Sequence, residues 1–160
     1  MVTARPAAAL REAEALREAD AAREAAAAAA NMGSKVLLVT MNMQTIAQMS
    51  CNPAMGGIAK GQIVREIDAL GGEMGINTDK SALQYKRLNT SKGPAVRSSR
   101  AQCDKVFYSL RMKETVEREP NLSVIQREVR RFHVEHGRVC GVYTQFDELY
   151  RCQAVILTAG

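Results

Sequence analysis

Apolar and polar positions alternate at several distinct periods along the chain. From Ala4 to Ala30 the residues are mainly Ala, Glu, Arg and Leu, with no glycine and a single proline at Pro6; this pattern predicts a long helix stopped by Asn31-Met32-Gly33. Its apolar stripe is mostly alanine with Leu10 and Leu16, a weak face for burial, so the first half is expected to be solvated or frayed. Lys35-Val36-Leu37-Leu38-Val39-Thr40 is a short continuous apolar run and reads as a strand covered on both faces, as in a parallel sheet. Residues 41 to 62 mix Asn, Ser, Gly and one Pro into a long loop, after which Ile63, Ile67 and Leu70 mark a helix closed by Gly71-Gly72.

Ser81 to Leu88 reads as extended. Arg100 to Glu119 reads as a helix with Cys103, Val106, Phe107 and Leu110 on one face, stopped by Pro120. The period then changes. Phe132 and Val134 alternate with His133 and Glu135, His136-Gly137 offers a tight turn, Val139 to Phe146 follows, and a turn near Asp147-Glu148 leads back through Leu149 and Tyr150. This is a β-meander, and it runs into Ala154-Val155-Ile156-Leu157-Thr158, which reads as another fully buried strand.

Composition narrows the function classes. One hundred and sixty residues suit one domain, short for a two-domain redox enzyme. Trp is absent and aromatics make up 4%, so the core is aliphatic and no stacking platform for bases is visible. The formal charge of +5 permits RNA binding without arguing for it. Cys51, Cys103, Cys140 and Cys152 show neither CxxC nor a Cys/His metal pattern, which suits a reducing compartment. His133 and His136 are too few for a metal site, and solvent exposure explains them. The longest apolar run, Ala25 to Ala30, is far below the ~20 residues of a membrane span, and no secretory leader is visible, so a cytosolic protein with no membrane partner is expected.

Two stretches carry candidate chemistry. In residues 49 to 61, Pro53 fixes one φ, while Gly56, Gly57 and Gly61 permit positive φ and close backbone approach, so main-chain N–H groups could press against a ligand; an ordinary surface loop is the other reading. Lys86, Arg87, Lys92, Arg97 and Arg100 form a basic stretch with no acidic residue between them, suited to nucleic-acid phosphates or to a solvated positive face.

Ser50-Cys51-Asn52-Pro53-Ala54-Met55-Gly56-Gly57, with Lys60-Gly61 and Asp68-Ala69-Leu70-Gly71-Gly72 behind it, resembles the GidA (MnmG) family. Leu88 to Arg97 and Arg100-Ala101-Gln102 resemble it in the same order, and the likeness runs from about Glu24 to Gly160. The resemblance implies an α/β, Rossmann-like FAD-binding domain with a parallel sheet, helices and a β-meander. It also implies a homodimeric enzyme that uses FAD and NADH and works with the GTPase MnmE. Together they modify C5 of the wobble uridine of tRNA. Carried over residue by residue, it puts Asn52, Pro53, Gly56 and Gly57 against the flavin, Val129 at the adenine end, and Thr158, Ala159 and Gly160 in a turn lining the FAD site. It makes Cys51 the candidate nucleophile, able as thiolate to attack C6 of a uracil; on the residues alone a lone cysteine also reads as a small buried hydrophobe. Lys92, Arg97 and Arg100 become the candidate tRNA contacts.

The family pattern fails upstream. Where it has an apolar strand and G-x-G-x-x-G, the glycine positions fall here on Arg17, Ala19 and Ala22, and no glycine precedes Gly33. Residues 1–23 are therefore read as an atypical Ala/Glu/Arg-rich segment and 24–160 as a partial FAD-binding domain, with the nicotinamide domain and the GTPase-docking region absent. The expected product is a fragment of the modifying enzyme that binds FAD poorly and is inactive alone. The alternatives are a non-catalytic remnant, or a relative such as a folate-dependent tRNA methyltransferase or a succinate-dehydrogenase-like oxidoreductase.

Overall fold

The computed structural model describes residues 22–49, 52–58 and 60–158. Among the described residues helix α1 covers 22–31, and the part of the foreseen helix before residue 22 lies outside them. Its alanines suit close packing: Ala26 and Ala30 join Leu38, Val116 and Leu122 in one core cluster. Gly33, at φ +88°, ends it by donating to Ala30 O at 2.9 Å, while Ser34 N reaches Ala29 O at 3.0 Å, the Schellman pairing that glycine at this position permits.

β1 (Val36–Thr40) pairs in parallel with β5 (Leu122–Gln126), Leu38 opposite Val124. A parallel pair needs a crossover, and here it consists of β2 (Ala54–Gly56), α2 (Lys60–Ala69), α3 (Met74–Ser81), β3 (Ala82–Leu88), β4 (Ser98–Cys103) and α4 (Lys105–Arg118). β2, β4 and β3 form an antiparallel sheet in that order. Its inner face supplies Ala101 and Cys103 to a second core cluster with Ile46, Ala47, Met49, Tyr108 and Met112. The meander forms as foreseen: β6 (Val129–Glu135), β7 (Arg138–Thr144) and β8 (Leu149–Arg151) pair in order, turning at His136-Gly137 with both φ angles positive. The fold is thus α/β, a parallel pair joined to two antiparallel sheets.

Four expectations are corrected. Arg100 to Cys103 is strand, not helix, because Asp104 caps α4: its carboxylate accepts from Val106 N and Phe107 N, both at 2.9 Å. The buried face of α4 is Tyr108, Met112 and Val116, which meets both core clusters, while Val106, Phe107 and Leu110 are exposed. β1 is covered on one face only: Leu38 is buried and Leu37 exposed, since among the described residues the parallel sheet has two strands. Residues 154–158 take no strand, and Ile156 and Leu157 are 68% and 69% exposed, with no strand pairing them among the described residues.

α3, with no apolar periodicity to announce it, buries Asn77, Thr78 and Ser81. Asn77 Nδ2 donates to Tyr108 O at 2.9 Å, and Ser81 Oγ to Asn77 O at 2.7 Å. Its first turn is held by α1, where Glu24 Oε2 accepts from Glu73 N and Met74 N and Glu24 Oε1 meets Arg23 Nη2 at 2.7 Å.

Candidate functional site

The segment Asn52–Gly57 is a sheet edge. Pro53 O accepts from Cys103 N at 2.7 Å, and Gly57 N donates to Ser99 O at 2.9 Å, so the segment is fastened to β4 at both ends. Gly56 (φ +87°) and Gly57 (φ +99°) both occupy the left-handed region. A Cβ on Gly56 would collide with the Ser99 carbonyl, whereas one on Gly57 would meet nothing nearer than Leu88 Cδ1 at 3.8 Å. The Gly56 requirement therefore comes from the approach of β4. The amides of Ala54, Gly57 and Gly61 are taken by Asn52 O, Ser99 O and Gly57 O, so these three do not face a ligand.

Cys51, Ala159 and Gly160 lie outside the described residues. Val129 opens β6 just beyond the end of β5, opposite Thr144 and 40% exposed. Carboxyl ends of parallel strands are where α/β sheets bind ligands; here the end of β1 is tied to β5 and β6 through Arg127 N to Thr40 O at 2.9 Å and Met43 N to Gln126 Oε1 at 3.2 Å. Thr158 is half-buried in the stretch after β8. Asn52 lines a shallow cavity of about 170 Å³, but its other walls are Gln84, Lys86, Arg100 and Gln102, not Val129 or Thr158.

The three candidate tRNA contacts divide into two places. Lys92 and Arg97 stand in the exposed turn between β3 and β4, where Arg97 Nε donates to Lys92 O at 2.9 Å and Asn89 Nδ2 to Val96 O at 3.0 Å. Arg100 sits on β4, half-buried, directly opposite Lys86 of β3. Reading the sequence as a linear basic stretch missed Gln84 and Gln102 beside them; the period-2 alternation of both strands was the available signal.

Burial raises the Cys103 thiol above its ordinary range, consistent with packing rather than nucleophilic use. His133 is not a solvent-exposed side chain: Nε2 lies 2.7 Å from Glu135 Oε1 and Nδ1 lies 3.4 Å from the Tyr143 hydroxyl. The hydrogen bond from His133 holds the Glu135 carboxyl below the ordinary range. Among the described residues no His/Cys/Asp/Glu group could hold a metal ion, and no helix is long and apolar enough to cross a membrane.

The residues in the register of the phosphate loop do not fit a dinucleotide pyrophosphate, since Arg17, Ala19 and Ala22 stand at the glycine positions. That group needs glycines and free amides at a helix start. Among the described residues Ala22 packs against the core cluster, and the buried Glu24 carboxylate is already committed to Arg23 and to the amides of Glu73 and Met74.

A family model described as "Glucose inhibited division protein A" matches residues 20–160. The chain is 59% identical over 133 residues to the tRNA uridine 5-carboxymethylaminomethyl modification enzyme MnmG of Parabacteroides distasonis, covering 83% of the chain and 21% of that protein. It is 56% identical to the enzyme of the same name from Desulfotalea psychrophila, with the same coverage. The solved structure of Aquifex aeolicus GidA in its form II crystal superposes with a TM-score of 0.79 at 52% identity, covering 84% of this chain and 22% of that one. PqsL of Pseudomonas aeruginosa, titled a probable FAD-dependent monooxygenase, shares the fold alone, at a TM-score of 0.53 and 14% identity. The chain spans about a fifth of the length of the curated relatives it matches.

Proposed function

The chain belongs to the glucose inhibited division protein A family, and on that footing we propose that it supplies the amino-terminal part of an FAD-dependent enzyme that modifies C5 of the wobble uridine in tRNA. The observation that carries this reading is the family match over residues 20–160, together with 59% identity to the Parabacteroides enzyme over 133 residues. NADH, the GTPase MnmE and a second copy of the enzyme are the remaining participants, engaged by parts of the family's length that this chain does not span. In this reading Asn52, Pro53, Gly56 and Gly57 border the flavin, and Val129 and Thr158 to Gly160 border the rest of FAD. Cys51 adds to uracil C6, its sulfur electron pair displacing the C5–C6 π pair towards O4. C5 thereby becomes nucleophilic and bonds to a one-carbon electrophile; loss of the original C5 proton then restores the C5–C6 double bond and expels the cysteine thiolate.

The test is a chimera. Residues 33–158 replace the corresponding stretch of the Parabacteroides enzyme, which keeps its own amino-terminal segment, and the hybrid is expressed in cells lacking the family enzyme. Mass spectrometry of tRNA nucleosides should show the C5-substituted uridine restored, and Cys51→Ala in the hybrid should abolish it. An inactive hybrid that folds and binds flavin would overturn the reading.

A second reading, a non-catalytic remnant, is favoured for the chain by itself, because Arg17, Ala19 and Ala22 replace the phosphate-loop glycines. The purified chain, incubated with FAD and desalted, should be colourless. Stoichiometric retention of the flavin absorption bands would refute that.

A further inference from the structure

β4 turns Ala101 and Cys103 into the core, so alternation turns Ser98, Arg100 and Gln102 to the opposite face of its sheet. The register sets Gln84 of β3 beside Gln102 and Lys86 beside Arg100. On the other flank β2 offers only Ala54 and Gly56 opposite these residues, leaving a low shelf with Asn52 at one end.

Like charges directly across a strand pair are destabilising unless counter-charge lies between them. β2, β3 and β4 contain no acidic residue, and no ion pair to Lys86 or Arg100 occurs among the described residues. The Ser98 hydroxyl, on the same face, is buried without a hydrogen-bond partner among the described residues. Lys86, Arg87, Lys92, Arg97 and Arg100 put five positive charges on this sheet and its turn with no acidic residue between them in sequence.

We propose that this outer face is a seat for one phosphate group. The Arg100 guanidinium grips two phosphate oxygens, the Lys86 ammonium supplies the second charge, and the side-chain amides of Gln84, Gln102 and Asn52 donate around the rim. That the phosphate belongs to an RNA strand rests on the tRNA reading above; the seat does not.

The whole chain is titrated with uridine 5′-monophosphate and, by fluorescence anisotropy, with a labelled RNA hairpin at two salt concentrations. Lys86→Gln and Arg100→Gln should each weaken hairpin binding about tenfold and lower the salt slope by about one. Arg100→Lys should recover part of the loss, and Lys35→Gln, away from the sheet, should change nothing. Circular dichroism checks each fold; should Arg100→Gln unfold, the exposed Lys86 decides alone. Competition by the mononucleotide assigns the seat to an isolated phosphate, and binding of the hairpin alone assigns it to a strand phosphodiester; both support it. Binding is read without flavin or turnover, so its failure is separate from failure of the modification reading. Absence of binding to both probes, or an equal loss from Lys35→Gln, would overturn the proposal.

Discussion

The carboxylate of Glu24 accepts a hydrogen bond from the backbone amide of Glu73 at 2.8 Å, so α1 caps a helix that lies far along the chain. The second bond, from Met74 N at 3.1 Å, completes the cap, and the buried Arg23 shares the carboxylate.

Glu24→Ala removes a charged cap and the anion that faces a buried guanidinium. A loss of about 3 kcal/mol is expected, read as a lower urea midpoint with unchanged slope. Glu24→Gln keeps one acceptor and should lose less.

Asp104 fixes where β4 ends and α4 begins. Asp104→Ala should cost about 1 kcal/mol and Asp104→Asn only a few tenths, since asparagine still accepts from the amides of Val106 and Phe107. Chemical denaturation of the two variants measures the difference.

Gly56 and Gly57 share a positive φ but differ in room. Gly57→Ala should cost about 1–2 kcal/mol of backbone strain. Gly56→Ala should cost more and detach β2, because its new methyl group would occupy the position of the Ser99 carbonyl. Hydrogen exchange at Gly57 N and Cys103 N reports that detachment directly.

Glu148 titrates below the ordinary glutamate range, first because Arg127 hydrogen-bonds it at 2.9 Å, and Glu135 does so because of His133. A carboxyl with a lowered folded-state pKa stabilises the fold fully above its unfolded pKa, and the contribution disappears as pH falls through the folded value. The meander should therefore lose protection from hydrogen exchange progressively below about pH 4.5. Glu148→Gln should flatten that dependence, and a curve as steep as that of the unaltered chain would show the pairing to be irrelevant.

The sequence revealed elements wherever burial follows polarity. β6 to β8 were legible from strand alternation and the His136-Gly137 turn, although in β6 the exposed side chains are Phe132 and Val134 and the half-buried one is His133. α3 was not, because Asn77, Thr78 and Ser81 bury hydrogen-bonding groups that only a specific partner such as Tyr108 O can satisfy. α4 carries two apolar stripes, and nothing local chooses Tyr108, Met112 and Val116 over Val106, Phe107 and Leu110. Asp104, a residue type that caps helices, was the local signal that could have placed the start of α4 after it. For the site, the motif at Asn52 to Gly57 was plain, whereas the meeting of Lys86 with Arg100 depends on a strand register that no local signal sets.

Leu37, Ile156 and Leu157 are exposed apolar side chains, and among the described residues each strand of the two-stranded parallel sheet has one edge without a partner. Surfaces of that kind are what chaperones grip and what seeds clumping when protein accumulates. Expressed by itself, this stretch should live longer in cells from which the proteases that clear poorly covered proteins have been removed.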